Sequence, residues 1–166
     1  MDQIRHQEQV TRAYTDARDD VYRYLLLLGL TPPQAEEAAQ EVFIRMYLAL
    51  EQGDAIQNER GWIFRVAHNL AIDQRRRKEP LPIDPEMHLR LRDTARGVEM
   101  DLIERERMEE LAAAWSTLSA QQRECLHLRA EGLRYREIAE TMGISISSVR
   151  EFLGRAVTRL KRAVHE

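Results

Sequence analysis

Two clusters of side chains have the types and spacing to do chemistry, and that chemistry is contact with nucleic acid. One is the basic run Arg75-Arg76-Arg77-Lys78. The other is Ser147, Ser148, Arg150, Glu151 and Arg155. Lys and Arg neutralise phosphates, while Arg and Ser reach base edges in the major groove. Groupings that would catalyse a reaction or hold a metal do not form. His6, His68, His88, His127 and His165 are dispersed, and Cys125 with His127 is an i,i+2 pair. Such a pair does not share a helix face, so no zinc site is expected there. There is no phosphate-cradling glycine loop and no nucleophile elbow. No catalytic residue, metal ligand or cofactor is expected, and the chain reads as a binding protein, not an enzyme.

The second cluster needs a scaffold, and the residues before it supply one. Tyr135-Arg-Glu-Ile-Ala-Glu-Thr-Met-Gly-Ile-Ser145 reads as a short helix, a glycine turn and a new helix start. Ile138, Ala139 and Met142 form its inner face; Gly143 can take the left-handed geometry that ends a helix, and Ser145 can cap the next. Val149, Phe152, Leu153, Ala156 and Leu160 then bury one side of the second helix, leaving the cluster outward near its beginning. A helix-turn-helix places that beginning in the major groove. Any short helical hairpin with a glycine turn shares the pattern, so the spacing alone implies only a generic DNA binder. Outward-facing Glu151 can accept from a cytosine or hold Arg155 as an i,i+4 pair.

Upstream, Ala35, Ala38, Ala39, Val42, Phe43, Met46, Tyr47 and Leu50 recur at three-and-four spacing, predicting an amphipathic helix from Ala35 to Leu50. Thr31-Pro32-Pro33 marks its start. Val10 to Leu28 also reads as helix, ending near Gly29. Gly61 to Arg77 places Ile63, Val66, Ala67 and Leu70 on one face with Arg65, Asn69 and Arg76 on the other. The polar stretch from Gln52 to Glu59 reads as a loop. Pro80, Pro82 and Pro85 fall in a segment without helical period. Helix resumes near Met100, and Ser119-Ala-Gln-Gln122 has the form of a capping box before a helix bearing Cys125, Leu126 and Leu128.

Composition agrees. Charged residues make up 32% of the 166, aromatics 6%, with seven Gly and five Pro, a balance that favours helix over a sheet sandwich. No alternating run implies a strand. The fold class is therefore all-α: two small helical domains, 1–78 and 100–166, joined by a flexible linker over 79–99. No apolar run approaches a membrane span, Leu25 to Leu28 included, and the first residues lack a signal-peptide pattern. With one cysteine and no intramolecular disulfide, a cytoplasmic protein is expected. Net charge is −3, but its placement matters more. Residues 1–80 carry 11 basic and 13 acidic side chains, residues 81–110 carry 5 and 9, and residues 111–166 carry 9 and 6. Two basic spots thus flank an acidic middle.

These motifs together carry a family resemblance. Gln34-Ala-Glu-Glu-Ala-Ala-Gln-Glu-Val-Phe-Ile-Arg45 resembles the acidic second helix of sigma factors, and Gly61 to Arg77 resembles the promoter-reading helix that follows. Gly132 to Ser145 with Val149 to Leu160 is similar to the domain that reads the −35 element. Order, separation and the proline-bearing linker resemble the extracytoplasmic-function group of the sigma-70 family, from about Val10 to Ala163. The resemblance implies a region 2 helical bundle over 1–78 and a region 4 helix-turn-helix over 100–166. It implies an alternative sigma factor that binds core RNA polymerase, recognises −10 and −35 elements and initiates transcription of a regulon.

Residue by residue, the resemblance implies that Glu37, Gln40, Glu41 and Arg45 dock on the clamp helices of the polymerase's largest subunit, while the second domain meets the flap region. As charges alone, Glu37 and Glu41 also fit a solvated acidic face. Asn58, in the loop before the third helix, matches the position of a −10 base-capturing loop; an Asn there can equally form a turn. Trp62 can stack on a base or join the core. Arg65, Asn69, Arg75, Arg76 and Lys78 would lie along −10 DNA, with Asp73 orienting the arginines. Ser147, Ser148, Arg150, Glu151 and Arg155 would meet the −35 element. The resemblance also implies an anti-sigma protein as partner, and no membrane insertion. Arg134 stands where the family commonly has a capping Ser or Thr, and Glu151 and Gly154 replace small polar and basic residues of the reading helix. A sigma-like mimic that only sequesters an anti-sigma protein is the alternative; it would need neither the basic run nor Arg150 and Arg155.

Overall fold

The computed structural model describes residues 1–77 and 101–165, and every regular element among them is a helix. These are α1 (Asp2–Leu27), α2 (Pro32–Glu51) and α3 (Glu59–Arg77), followed by α4 (Leu102–Thr117), α5 (Ala120–Ala130), α6 (Tyr135–Met142) and α7 (Ile146–His165). The linker assigned to 79–99 and the resumption of helix at Met100 lie outside the described residues, as does Lys78.

Three helix starts are fixed by local chemistry. Thr31 and Gln34 form a reciprocal capping box with prolines in the first turn, and Ser119 and Gln122 form another. Asp101 and Glu104 form a third, with Glu104 N donating to Asp101 Oδ1 over 2.8 Å. Each box satisfies amides that a bare helix end would leave without a partner. Arg134 begins α6 with no side-chain cap, and Gly143 ends it at φ 68°, a left-handed conformation that a side chain disfavours. Ser145 Oγ then accepts from Ser148 N over 3.0 Å to start α7.

α1 begins at Asp2, ahead of the apolar pattern that starts at Val10. Its polar first turns are held from outside. Gln3 reaches Tyr47, His6 reaches Glu51, and Gln9 Nε2 donates to Glu59 over 2.6 Å. α3 also differs from its predicted face. Ile63, Phe64, Ala67 and Ala71 are the buried set, with Val66 and Leu70 only partly covered. The stripe shifts because α3 packs against α1, α2 and α6 together.

Packing within α1–α3 and within α4–α7 is joined by contact between them, and the buried side chains form one continuous cluster. Tyr24, fully buried, meets Phe64 edge to face at 5.4 Å and stacks on His127 of α5 at 5.5 Å. Cys125 is buried beside Met142, with the two sulfurs 3.4 Å apart. Burial, then the nearby Glu124, pushes its thiol up to about 12. A thiol whose folded value lies above its unfolded one stabilises the fold below the unfolded value, and that contribution fades as pH rises through the folded one. Between the ordinary thiol range and about 12, unfolding should become easier by about 1.4 kcal/mol per pH unit from this group. Urea titrations from pH 9 upward should show a steeper loss for the native chain than for Cys125→Ala; parallel curves would refute the assignment.

Candidate nucleic-acid interface

The loop between α2 and α3 is closed off by its last residue. Asn58 Oδ1 accepts from Gly61 N over 3.2 Å and Asn58 O accepts from Trp62 N, so this amide caps α3. Its Nδ2 donates to Glu137 on α6 over 2.5 Å. Trp62 is partly buried against the core and also lines a cavity of about 190 Å³ between the loop, α3 and α6. Arg65 and Asn69 are exposed on the same side of α3, and Arg65 faces Glu140 across 3.9 Å. Arg76 and Arg77 are exposed at the helix end, with Arg75 half-buried. Asp73 is exposed, and no ion pair joins it to another described residue, so it does not orient the arginines among these residues.

In α7, Ser147, Arg150, Glu151 and Arg155 are exposed near the helix start, over a buried face of Val149, Leu153 and Ala156. Ser148 is half-buried, and its hydroxyl is engaged with Ser145 Oγ at 2.9 Å. Arg155 and Glu151 form the i,i+4 pair at 2.7 Å. Gly154 is exposed with open space around it. On α2, Glu37, Gln40 and Arg45 are exposed and Glu41 half-buried, with Arg45 Nε donating to Glu41 over 3.2 Å.

The structure brings together residues that the sequence left apart. Arg60 lies between Asp20 of α1, at 2.9 Å, and Glu131 at the end of α5, at 2.5 Å. Burial lowers its affinity for the proton, but hydrogen bonds and charge from Asp20 and Glu131 outweigh that and raise it. Burial, then the charge of Asp20, raises Glu131, with Arg60 opposing both. Tyr24 Oη donates to Glu124 over 2.8 Å, and His68 Nδ1 lies 3.0 Å from Tyr24 Oη and 2.9 Å from Glu124. Burial, then Glu124, holds the Tyr24 hydroxyl well above the usual phenol range, so it stays a donor. These partners are 40 to 100 residues apart in the chain, beyond any local spacing rule.

The comparisons agree with this arrangement. Residues 13–80 match the family profile Sigma-70 region 2, and residues 108–160 match Sigma-70, region 4. The ECF RNA polymerase sigma factor SigM of Bacillus subtilis is 32% identical over 154 residues, spanning 92% of this chain and 93% of that one. The chain belongs to the extracytoplasmic-function (ECF) sigma factors of the sigma-70 family. SigE of Mycolicibacterium smegmatis is 30% identical over 86% of this sigma factor and 56% of its own length. Two solved structures share the fold. One is CnrH in complex with the cytosolic domain of CnrY, with TM-score 0.59 and 20% identity over 97% of this chain and 95% of that one. The other is the sigma factor RpoE with the anti-sigma factor NepR from Bartonella quintana, with TM-score 0.62 and 19% identity over 95% and 97%. No helix among the described residues is long and apolar enough to cross a membrane.

Proposed function

We propose that this sigma factor joins core RNA polymerase, recognises −10 and −35 promoter elements through its two halves, and initiates transcription of a defined regulon without chemistry of its own. The observation that carries the reading is the exposed start of α7. There Arg150 and the Glu151–Arg155 pair project from a helix whose Val149, Leu153 and Ala156 are buried in packing. A side chain so placed can enter a groove without disturbing the fold. Arg65, Asn69, Arg75 and Arg76, with Lys78 beyond the described residues, take the −10 strand. Asn58 and Trp62 border the base-capturing loop. Glu37, Gln40, Glu41 and Arg45 dock on the clamp helices, and α4–α7 meet the flap region. The halves correspond to domains 1–78 and 100–166, the protein works in the cytoplasm, and an anti-sigma protein regulates it, a partner of the kind that RpoE of Bartonella quintana binds in its complex with the anti-sigma factor NepR.

The test is transcription by core polymerase and a promoter library with and without the protein; failure to bind core polymerase refutes the reading. Arg150→Ala should then weaken the −35 contact by about 1–3 kcal/mol and relax base preference at one position. Ser147→Ala should have a smaller effect, and Ser148→Ala should act through loss of the hydroxyl that accepts from the capping Ser145 Oγ. Footprints on base-substituted −35 duplexes separate these outcomes, and unchanged preference in Arg150→Ala would remove it from the reading set.

A further inference from the structure

From Asp2 to Gln9, α1 buries no side chain. A helix end without apolar packing tends to fray, so these turns need another hold. Three side chains at three-residue spacing supply it. Gln3 Nε2 reaches Tyr47 Oη at 3.5 Å, and His6 Nδ1 lies 3.2 Å from Glu51 Oε1. Gln9 Nε2 donates to Glu59 Oε1 over 2.6 Å in a partly buried bond. Residues three apart advance about 300° around a helix axis, so each contact is turned about 60° from the last. That drift carries the row from α2 onto α3. Tyr47 and Glu51 lie in the last turn or so of α2 and Glu59 begins α3, so the row ties together the two stems of the loop over 52–58. Within that loop Ile56 packs against the core, and the other side chains, Asn58 included, are exposed. The spacing of its ends therefore depends on how the stems are held. The row also lies ahead of residues 13–80, which carry the match to region 2.

We propose that the polar first turns of α1 are a brace across the base-capturing loop, with Gln9, His6 and Gln3 as positioning residues that set its geometry without touching DNA. The inference rests on the −10 assignment made above. Gln9 is the main tie: its bond is the shortest and the best shielded, and its acceptor is a carboxylate one residue from Asn58. A loop held in one geometry pays less ordering entropy when a strand enters it. His6 and Gln3 keep the α2 stem in register with the same helix.

The test uses the full chain in the holoenzyme. The probe is the single-stranded oligonucleotide that the native holoenzyme enriches from a randomised DNA pool. Gln9→Ala should bind it about fivefold more weakly. Affinity for a −35 duplex and for core polymerase should stay within about twofold, with the salt concentration held fixed. Gln9→Glu combined with Glu59→Gln exchanges donor and acceptor while keeping net charge and helix propensity, and should restore probe binding to within about twofold of native. A role confined to helix stability would not respond to that exchange. His6→Ala, at the other stem and partly exposed, is the second variant; it should lower probe affinity about twofold, again selectively, and serves if Gln9→Ala loses its helical circular dichroism. Unchanged probe affinity in both alanine variants, equal losses on the −35 duplex, or no recovery in the exchanged pair overturns the brace. A native holoenzyme that enriches no sequence overturns the −10 assignment instead.

Discussion

Phe64→Ala should destabilise the protein by about 3–5 kcal/mol, the largest single-residue effect expected in the chain. Phe64 is fully buried, packs edge to face on Tyr24 at 76°, and carries the Arg60 guanidinium 5.5 Å over its ring. Truncation removes the ring's transfer energy and leaves a void beside Tyr24, which is already committed to Glu124 and His68 and cannot collapse inward freely. Small domains have about 5–15 kcal/mol in total, so the variant should lose about a fifth of its stability or more. Urea unfolding followed by circular dichroism measures it. Phe64→Leu should cost less because it fills part of the space. A loss under about 1 kcal/mol for Phe64→Ala would mean that the site relaxes around the gap.

The second large effect concerns promoter opening. Arg75→Ala with Arg76→Ala should reduce it steeply while leaving core polymerase binding intact. Arg76 is exposed and Arg75 half-buried at the end of α3, away from the α2 side chains assigned to the clamp helices. Each lost phosphate contact should lower the slope of log affinity against log salt by about 0.7–0.9, so the pair should remove about 1.4–1.8 from it. The deficit should therefore be largest in dilute salt and shrink as salt rises. Permanganate footprinting of the opened strand and a core-binding titration read the two activities separately. Equal loss of both would make the α3 end a structural element and not a DNA contact.

Much of this was legible in the sequence where the cause is local. Gly143 ends α6 and Ser145 starts α7 because backbone freedom and a hydroxyl act within a few residues, and the same holds for Thr31 and Ser119. The Glu151–Arg155 pair follows from helix geometry, which resolves the two roles open to Glu151 in favour of the ion pair in the free chain. Other features depend on neighbours that no spacing reveals. The position of Asn58 in the loop before α3 is legible in the sequence, but its capping of α3 and its bond to Glu137 require the folded chain. Phe64 escapes a periodic count because the α3 face reflects three packing partners, whereas such a count sees one. Arg60, Tyr24 and Glu131 matter through contacts between segments far apart, so nothing in their immediate sequence distinguished them.

Tyr24 has a consequence for engineering. Its phenol is rooted in α1 but satisfied by Glu124 on α5, so the halves are not interchangeable cassettes in the free protein. A chimera that grafts a relative's C-terminal half onto residues 1–78 and lacks a carboxylate at position 124 would leave a buried hydroxyl without that acceptor. Hybrids designed to retarget promoters should carry positions 24, 68 and 124 as a matched set, or replace the tyrosine by phenylalanine together with an apolar residue at 124.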